Sequence, residues 1–255
     1  MNITILGSGN VASVLGEVIF ASGHNIQQVY SRSNSGKKLA ERWNATYHSS
    51  WHTLSPGSSL YLVCLSDTAL EVLARDWRMP HSFIAHTSGS VPMEVLQPIS
   101  GETGVFYPLQ SLSTDSPLRT EIPFLLEAAD DDLYEILENF ALSISKNIMP
   151  STHIERLAYH LSAVFANNFS NALYHAAYEW CGKNDLSFEM LLPLIRQTAL
   201  RLGDEDPAIF QTGPAVRNDL QTVERHKKLL EEDPLLLDIY STMTKYIAYR
   251  IKKPT

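Results

Sequence analysis

Hydrophobic and polar positions along the chain fall into two regimes. Up to about residue 150, short apolar runs alternate with amphipathic stretches. Residues 2–6 (Asn-Ile-Thr-Ile-Leu) read as a short buried strand, followed by a glycine-containing turn and a helix from Val11 to about Ala21, which Gly23 stops. Further strands are expected at 26–31, 45–47, 60–65, 82–86, 104–107, 122–128 and 145–149, with helices at 37–43, 68–77 and 130–143. Such alternation predicts a mostly parallel α/β sheet with right-handed crossovers.

Beyond Pro150 and Ser151 the period changes. From 152 to 252 the pattern is helical, broken at Gly182-Lys-Asn, Gly203-Asp, Gly213-Pro and Asp233-Pro234. The fold class expected is therefore α/β, a Rossmann-type sheet domain over residues 1–150 followed by an all-α domain over 151–255.

The turn after the first strand is Gly7-Ser8-Gly9-Asn10-Val11-Ala12, a G-x-G-x-x-A pattern. Its first glycine suits the tight strand-to-helix turn, its second lets a pyrophosphate approach the backbone, and its alanine lets helix and strand pack closely. The helix N-terminus then offers free amides to phosphates. About 20 residues on, NAD sites carry an acidic residue for the ribose 2′-hydroxyl. This chain has Ser31-Arg32-Ser33 there, which suits a 2′-phosphate and so NADP(H). A different phosphorylated nucleotide on the same loop is the alternative. Segments beyond the strand ends, where ligands of open α/β sheets bind, add Leu65, Ser66, His86 and Thr87 as cofactor contacts. Ser88, Gly89 and Ser90 are expected nearer the substrate. The segment 106–111 reads more readily as turn residues.

Composition narrows the classes. The net charge of −8 argues against nucleic acid as the main partner, which would need a basic patch. Two cysteines, neither in a CxxC motif, suggest neither a disulfide framework nor a zinc site, and no metal is expected. No apolar run approaches membrane-spanning length and no signal-peptide pattern opens the chain, so a cytoplasmic protein is expected.

In the helical half, a long helix is expected over about 153–181. At 100° per residue it aligns His160, Asn167, Asn171, His175 and Tyr178 in one neutral polar stripe. A later segment, Thr212-Gly213-Pro214 to His226, suggests a helix starting at Pro214 or just after it. Arg217 and Asp219 would lie in its first turns as substrate contacts, Asp219 alternatively serving as a helix cap.

The glycine loop, His-Thr-Ser-Gly-Ser (86–90), Phe-Tyr-Pro-Leu-Gln-Ser (106–111), Tyr159-His160 with Asn168-Phe169, and Thr-Gly-Pro-x-x-Arg-x-Asp-x-x-Thr-x-x-x-His (212–226) occur in this order. Together they resemble a bacterial family of Rossmann-like proteins with a helical C-terminal domain of unknown function, whose members are commonly labelled as proposed NADP oxidoreductases. More distantly the layout is similar to the 3-hydroxyacid dehydrogenase, pyrroline-carboxylate reductase and ketopantoate reductase superfamily. The resemblance implies a homodimer formed through the helical domain. It also implies catalytic residues early in the long helix, where relatives carry a lysine and an asparagine. Here that place holds His160 with Asn167 and Asn168 downstream, and no lysine occurs between Lys146 and Lys183.

The function expected is hydride transfer between NADP(H) and a small C=O or C=N substrate in an interdomain cleft. His160 would be general acid/base, and Asn168 (from the resemblance) or Asn167 (from the helical wheel) would orient the substrate. The missing lysine motivates the alternative, a non-catalytic NADP(H)-binding sensor or interaction protein.

Overall fold

The protein was analysed as a computed structural model. The structure describes residues 1–115, 121–203 and 205–251. Asp204 of the Gly203-Asp break and residue 252 lie outside them. The chain divides into two compact units, Met1–Phe169 and Ser170–Thr255.

The first unit opens with β1 (Asn2–Leu6), α1 (Asn10–Ala21), β2 (Asn25–Tyr30), α2 (Asn34–Arg42), β3 (Thr46–His48) and β4 (Leu60–Val63). Next come α3 (Asp67–Asp76), β5 (Ile84–His86), β6 (Thr103–Pro108), β7 (Phe124–Ala128), α4 (Asp131–Leu142), β8 (Ile148–Pro150) and α5 (His153–Ala163). A π-helical turn, Val164–Phe169, closes the unit. The sheet has eight strands in the order β3-β2-β1-β4-β5-β6-β7-β8. Strands β1 to β6 pair in parallel; β7 runs antiparallel to β6, and β8 parallel to β7. The strand order reverses between β1 and β4, whose ends Leu6 and Val63 are in register.

Side-chain alternation builds a helix layer on each face. Ile3, Ile5, Leu60 and Leu62 pack in one cluster with Leu15 and Ile19 of α1, Leu39 of α2, and Leu137 and Phe140 of α4. The intervening Leu6, Tyr61 and Val63 pack in a second cluster with Leu70 and Leu73 of α3.

The first unit continues past residue 150, where the last strand ends and where the domain boundary was expected. The added segment is α5, and its attachment explains the difference. Thr152 and Glu155 form a reciprocal capping box at its start. One turn in, the fully buried Arg156 donates from Nη1 to the Glu127 carboxylate on β7. Its Nη2 donates to the Val91 carbonyl at 2.8 Å. A buried guanidinium must satisfy its charge locally, so these partners bind α5 to the sheet.

The second unit is helical: α6 (Ser170–Lys183), α7 (Leu192–Leu200), α8 (Leu220–Leu229) and α9 (Pro234–Ile251). Among its described residues there is no strand. The helix start expected at Pro214 is displaced to Leu220. Asn218 takes a left-handed backbone (φ 54°), which interrupts right-handed helix, and Asp219 caps α8 instead. Among the described residues no helix is long and apolar enough to cross a membrane.

The Arg156–Glu127 pair yields a stability prediction. Glu127→Leu alone strands a buried cation and should cost about 3 kcal/mol in urea unfolding, whereas Glu127→Leu combined with Arg156→Met should recover most of that loss. Equal losses in single and double variants would show that the cost lies in removing the Glu127 side chain itself and not in stranding the Arg156 charge.

Candidate dinucleotide and substrate site

Gly7 follows β1 with φ +135°, and a Cβ there would stand 2.3 Å from the Cys64 carbonyl oxygen, so only glycine fits the turn. Gly9 differs: a Cβ on it meets nothing within 4 Å. Its missing side chain relieves no internal clash and leaves open space at the N-terminus of α1. Ala12 is fully buried against the sheet core, Val11 packs at its margin, and Asn10 begins α1 on the exposed side.

Gly7 and Gly9 border a cavity of about 320 Å³ lined also by Ser8, Ser31, Arg32, Ser33, Trp51, Leu65 and Ser66, among others, whereas Asn10, Val11 and Ala12, expected as cofactor contacts, lie outside its lining. The hydroxyls of Ser8, Ser31, Ser33 and Ser35 hydrogen-bond to one another. Ser8 lies 2.7 Å from Ser31, 2.9 Å from Ser33 and 2.9 Å from Ser35. The helices entering this region are open at their N-termini. Neither Gly9 before α1 nor Ser33 before α2 gives a side-chain cap, and neither first turn holds an acidic residue. By contrast Ser66 caps α3, Asp130 caps α4 and Thr152 caps α5. Uncapped amides, hydroxyls and the Arg32 guanidinium thus line one cavity, and each is a group of the kind that hydrogen-bonds anions.

A second cavity, of about 530 Å³, lies at the ends of β6 and α5. It is lined by Tyr107, Leu109, Gln110, Ser111, Tyr159, His160, Asn167 and Asn168, among others. The Tyr107 hydroxyl and His160 Nδ1 are 3.0 Å apart, with their rings edge to face at 6.0 Å. Burial pushes the Tyr107 phenol above its ordinary pKa, favouring the protonated form. The loop after β5 fits round this pair. A Cβ on Gly89 would come within 2.8 Å of His160 Nδ1 and 2.9 Å of the Tyr107 ring.

The structure thus brings together His160, Asn167 and Asn168, and separately the glycine loop, Ser31–Ser33, Leu65 and Ser66. Other expected residues it places elsewhere. His86 is fully buried beneath its loop, with Nδ1 accepting the Ser88 N–H at 3.1 Å. Burial, reinforced by the Arg156 charge, lowers its pKa to about 3 and keeps it neutral. Thr87 is also buried, its hydroxyl donating to the Val63 carbonyl. Both close the strand end and lie outside the lining of either cavity. Ser88 and Ser90 donate to the two oxygens of Asp67, at 2.8 and 2.6 Å, so their hydroxyls hold the loop to α3. Asp219 accepts from Thr222 N–H and hydroxyl at 3.0 and 2.7 Å. Those bonds pull its carboxyl below the usual range and make it a helix cap. Arg217 is exposed in the preceding turn of the second unit. Of the polar stripe, Asn171, His175 and Tyr178 belong to the second unit, where His175 stacks on Tyr178.

Sequence reasoning missed the Asp67 clamp, the Tyr107–His160 contact, and Trp51 as a lining residue. Trp51 did carry a signal, since an aromatic just past the strand beside β2 falls at the carboxyl end of the sheet.

Two family models cover most of the chain. A Rossmann-like domain matches residues 1–110, and a domain of unknown function, DUF2520, matches residues 122–247. A solved structure of a proposed NADP oxidoreductase, BF3122 of Bacteroides fragilis, is 33% identical with a TM-score of 0.91. The match covers 97% of this chain and 98% of that one. The chain belongs to the Rossmann-like family that carries the DUF2520 domain. The chain is also similar in fold to solved reductases. A pyrroline-5-carboxylate reductase of Streptococcus pyogenes matches at 16% identity and TM-score 0.64, covering 99% of this chain and 98% of that one. A reductive aminase of Aspergillus terreus, solved with NADPH and ethyl-5-oxohexanoate, matches at 14% identity and TM-score 0.71, covering 98% and 93%. No curated protein matches the chain by sequence.

The two loop glycines give contrasting predictions. Gly7→Ala should lower the unfolding temperature by several degrees, because the new Cβ meets backbone at a left-handed position. Gly9→Ala should leave that temperature within about a degree yet weaken dinucleotide binding at least tenfold in a calorimetric titration. Undiminished binding by Gly9→Ala would show that nothing approaches the backbone there.

Proposed function

We propose that the protein is an NADP(H)-dependent oxidoreductase acting on a small C=O or C=N substrate. The observation that carries the reading is the phosphate cradle at the β1–β4 reversal point, with Arg32 and four mutually bonded serines where a ribose 2′-phosphate would lie. The Bacteroides fragilis relative, a proposed NADP oxidoreductase, and the reductive aminase solved with NADPH support it. Gly7, Ser8 and Gly9 with the first amides of α1 would hold the pyrophosphate. Ser31, Arg32, Ser33 and the start of α2 would take the 2′-phosphate, favouring NADP(H) over NAD(H).

When bound, the reduced nicotinamide supplies the hydride. The chain must supply the proton for the substrate oxygen or nitrogen and hold the acceptor carbon in place. His160 is suited to the proton. Tyr107 fixes the ring through Nδ1, leaving Nε2 as the nitrogen to exchange a proton with substrate. Asn167 and Asn168 border the same cavity and can hold a carbonyl or imine by hydrogen bonds. Leu65 and Ser66 line the cofactor side.

We further propose that the protein is a homodimer assembled through the second unit. Among the described residues of that unit the buried apolar side chains are Cys181, Val223 and Leu230, whereas Met190, Leu194, Leu200, Leu235, Tyr246 and others are exposed. So large an apolar surface calls for a partner face. Light scattering should return twice the chain mass at micromolar concentration; a monomer would overturn this.

The deciding experiment for the activity uses parallel titrations with NADPH and NADH. Wild type should bind NADPH more tightly, and Arg32→Ala should bring NADPH down toward the NADH level. His160→Ala should keep NADPH affinity while turnover with a carbonyl or imine panel falls 10²-fold or more. Binding with no turnover in wild type would favour a non-catalytic sensor, and binding of neither nucleotide would remove the reading altogether.

A further inference from the structure

The phosphate cradle accounts for the charged parts of a dinucleotide but not for its base. A purine is flat and weakly hydrated, and it gains most from an apolar or aromatic wall. The cavity beside the cradle is bordered chiefly by hydroxyls, glycines and a guanidinium, with Trp51 and Tyr30 as its aromatic lining. Tyr30 is only 3% exposed and belongs to the core beneath. Trp51 is half-buried and keeps an open surface.

The Trp51 indole is held on two sides. It begins a 3-10 turn, Trp51–Thr53, just beyond β3, and Ser50 caps that turn. The ring N–H donates to Asp76 Oδ2, at the end of α3, at 3.0 Å. Its flank packs on Tyr30, with ring centroids 5.4 Å apart and planes inclined by 56°. His52 Nε2 reaches the same Asp76 oxygen at 2.9 Å. A ring already ordered before ligand arrives loses little conformational entropy on binding. Ala69, on the α3 side of the same cavity, is small and leaves room opposite.

We propose that Trp51 is the wall against which the purine base of the dinucleotide stacks, with Asp76 holding the indole in place. The inference rests on the dinucleotide reading above. Its chemistry is that of an adenosine carrying a 2′-phosphate: the phosphate seats on Arg32 and the serines while the base, joined to the same ribose, lies on the neighbouring indole. Asp76 is a positioning residue and does not touch the base.

Adenosine 2′,5′-bisphosphate and inorganic pyrophosphate separate the contributions. Titrated into wild type, the bisphosphate should bind and quench indole fluorescence. Trp51→Leu should weaken it roughly tenfold, Trp51→Phe should restore most of the affinity, and Asp76→Ala should give an intermediate loss. Pyrophosphate affinity should be the same in all four proteins. The quench should vanish in Trp51→Phe even though binding persists, because the remaining tryptophans Trp43, Trp77 and Trp180 lie outside the lining of this cavity. If wild type binds NADPH and the bisphosphate but Trp51→Leu binds them equally well, the stacking wall is overturned and the cofactor reading stands. Equal loss of pyrophosphate would likewise overturn it, since the phosphate loop would then have moved. Failure of wild type to bind either nucleotide would overturn both.

Discussion

The geometry of the second cavity depends on one buried cation. Arg156 joins three segments distant in sequence: α5, on which it lies, β7 through Glu127, and the end of the loop after β5 through the Val91 carbonyl. His160 follows Arg156 by four residues and so lies on the same face of α5, one turn on. Fixing the guanidinium therefore fixes the imidazole against Tyr107. The same charge bears on His86, where it adds to burial in holding the ring neutral. Gly89, between these groups, must lack a side chain for the Tyr107–His160 contact to close. A buried cation that must keep its assigned acceptors adds a directional constraint on the position of α5 to that of apolar packing.

Within the first unit, helix starts divide into those whose amides a side chain caps and those left uncapped. Ser66, Asp130 and Thr152 each accept backbone N–H groups at the starts of α3, α4 and α5, as Asp219 does at α8 of the second unit. At α1 and α2 no side chain does so, and no acidic residue stands in either first turn. These are the helices that open onto the glycine loop and the serine cluster. A net charge of −8 does not oppose the proposed phosphate site, because the field at short range comes from oriented amides and Arg32 rather than from the whole surface.

Much of the sheet domain is legible in the sequence because its determinants are local. The strand over residues 2–6, the glycine turn and the capped or Gly-stopped helices each depend on a few neighbouring residues. What the sequence hides are pairings at long separation. Nothing near Ser88 or Ser90 announces that both bond Asp67, and nothing near Arg156 announces Glu127. The unit boundary is hidden for the same reason. The hydrophobic pattern marks the last strand, at Pro150, but the Arg156–Glu127 salt bridge that ties α5 to β7 is invisible to periodicity. Likewise Pro214 satisfies every local rule for a helix start, yet the left-handed Asn218 delays the helix to Leu220.

The choice between Asn167 and Asn168 shows how local geometry can change a wheel. In an ideal α-helix, seven residues return to within roughly 20° of the starting azimuth, which places Asn167 over His160 and turns Asn168 away. The turn Val164–Phe169 is π-helical, so it takes more residues per revolution, and the position eight residues on is brought back toward the azimuth of His160. Both asparagines accordingly border the His160 cavity. The wheel and the family resemblance disagreed because only one of them assumed a regular helix. A π turn is costly to form, and this one lies where two adjacent amides reach a cavity holding an oriented imidazole. That is the arrangement a site needs if one amide is to hold the substrate while the other completes the wall behind it.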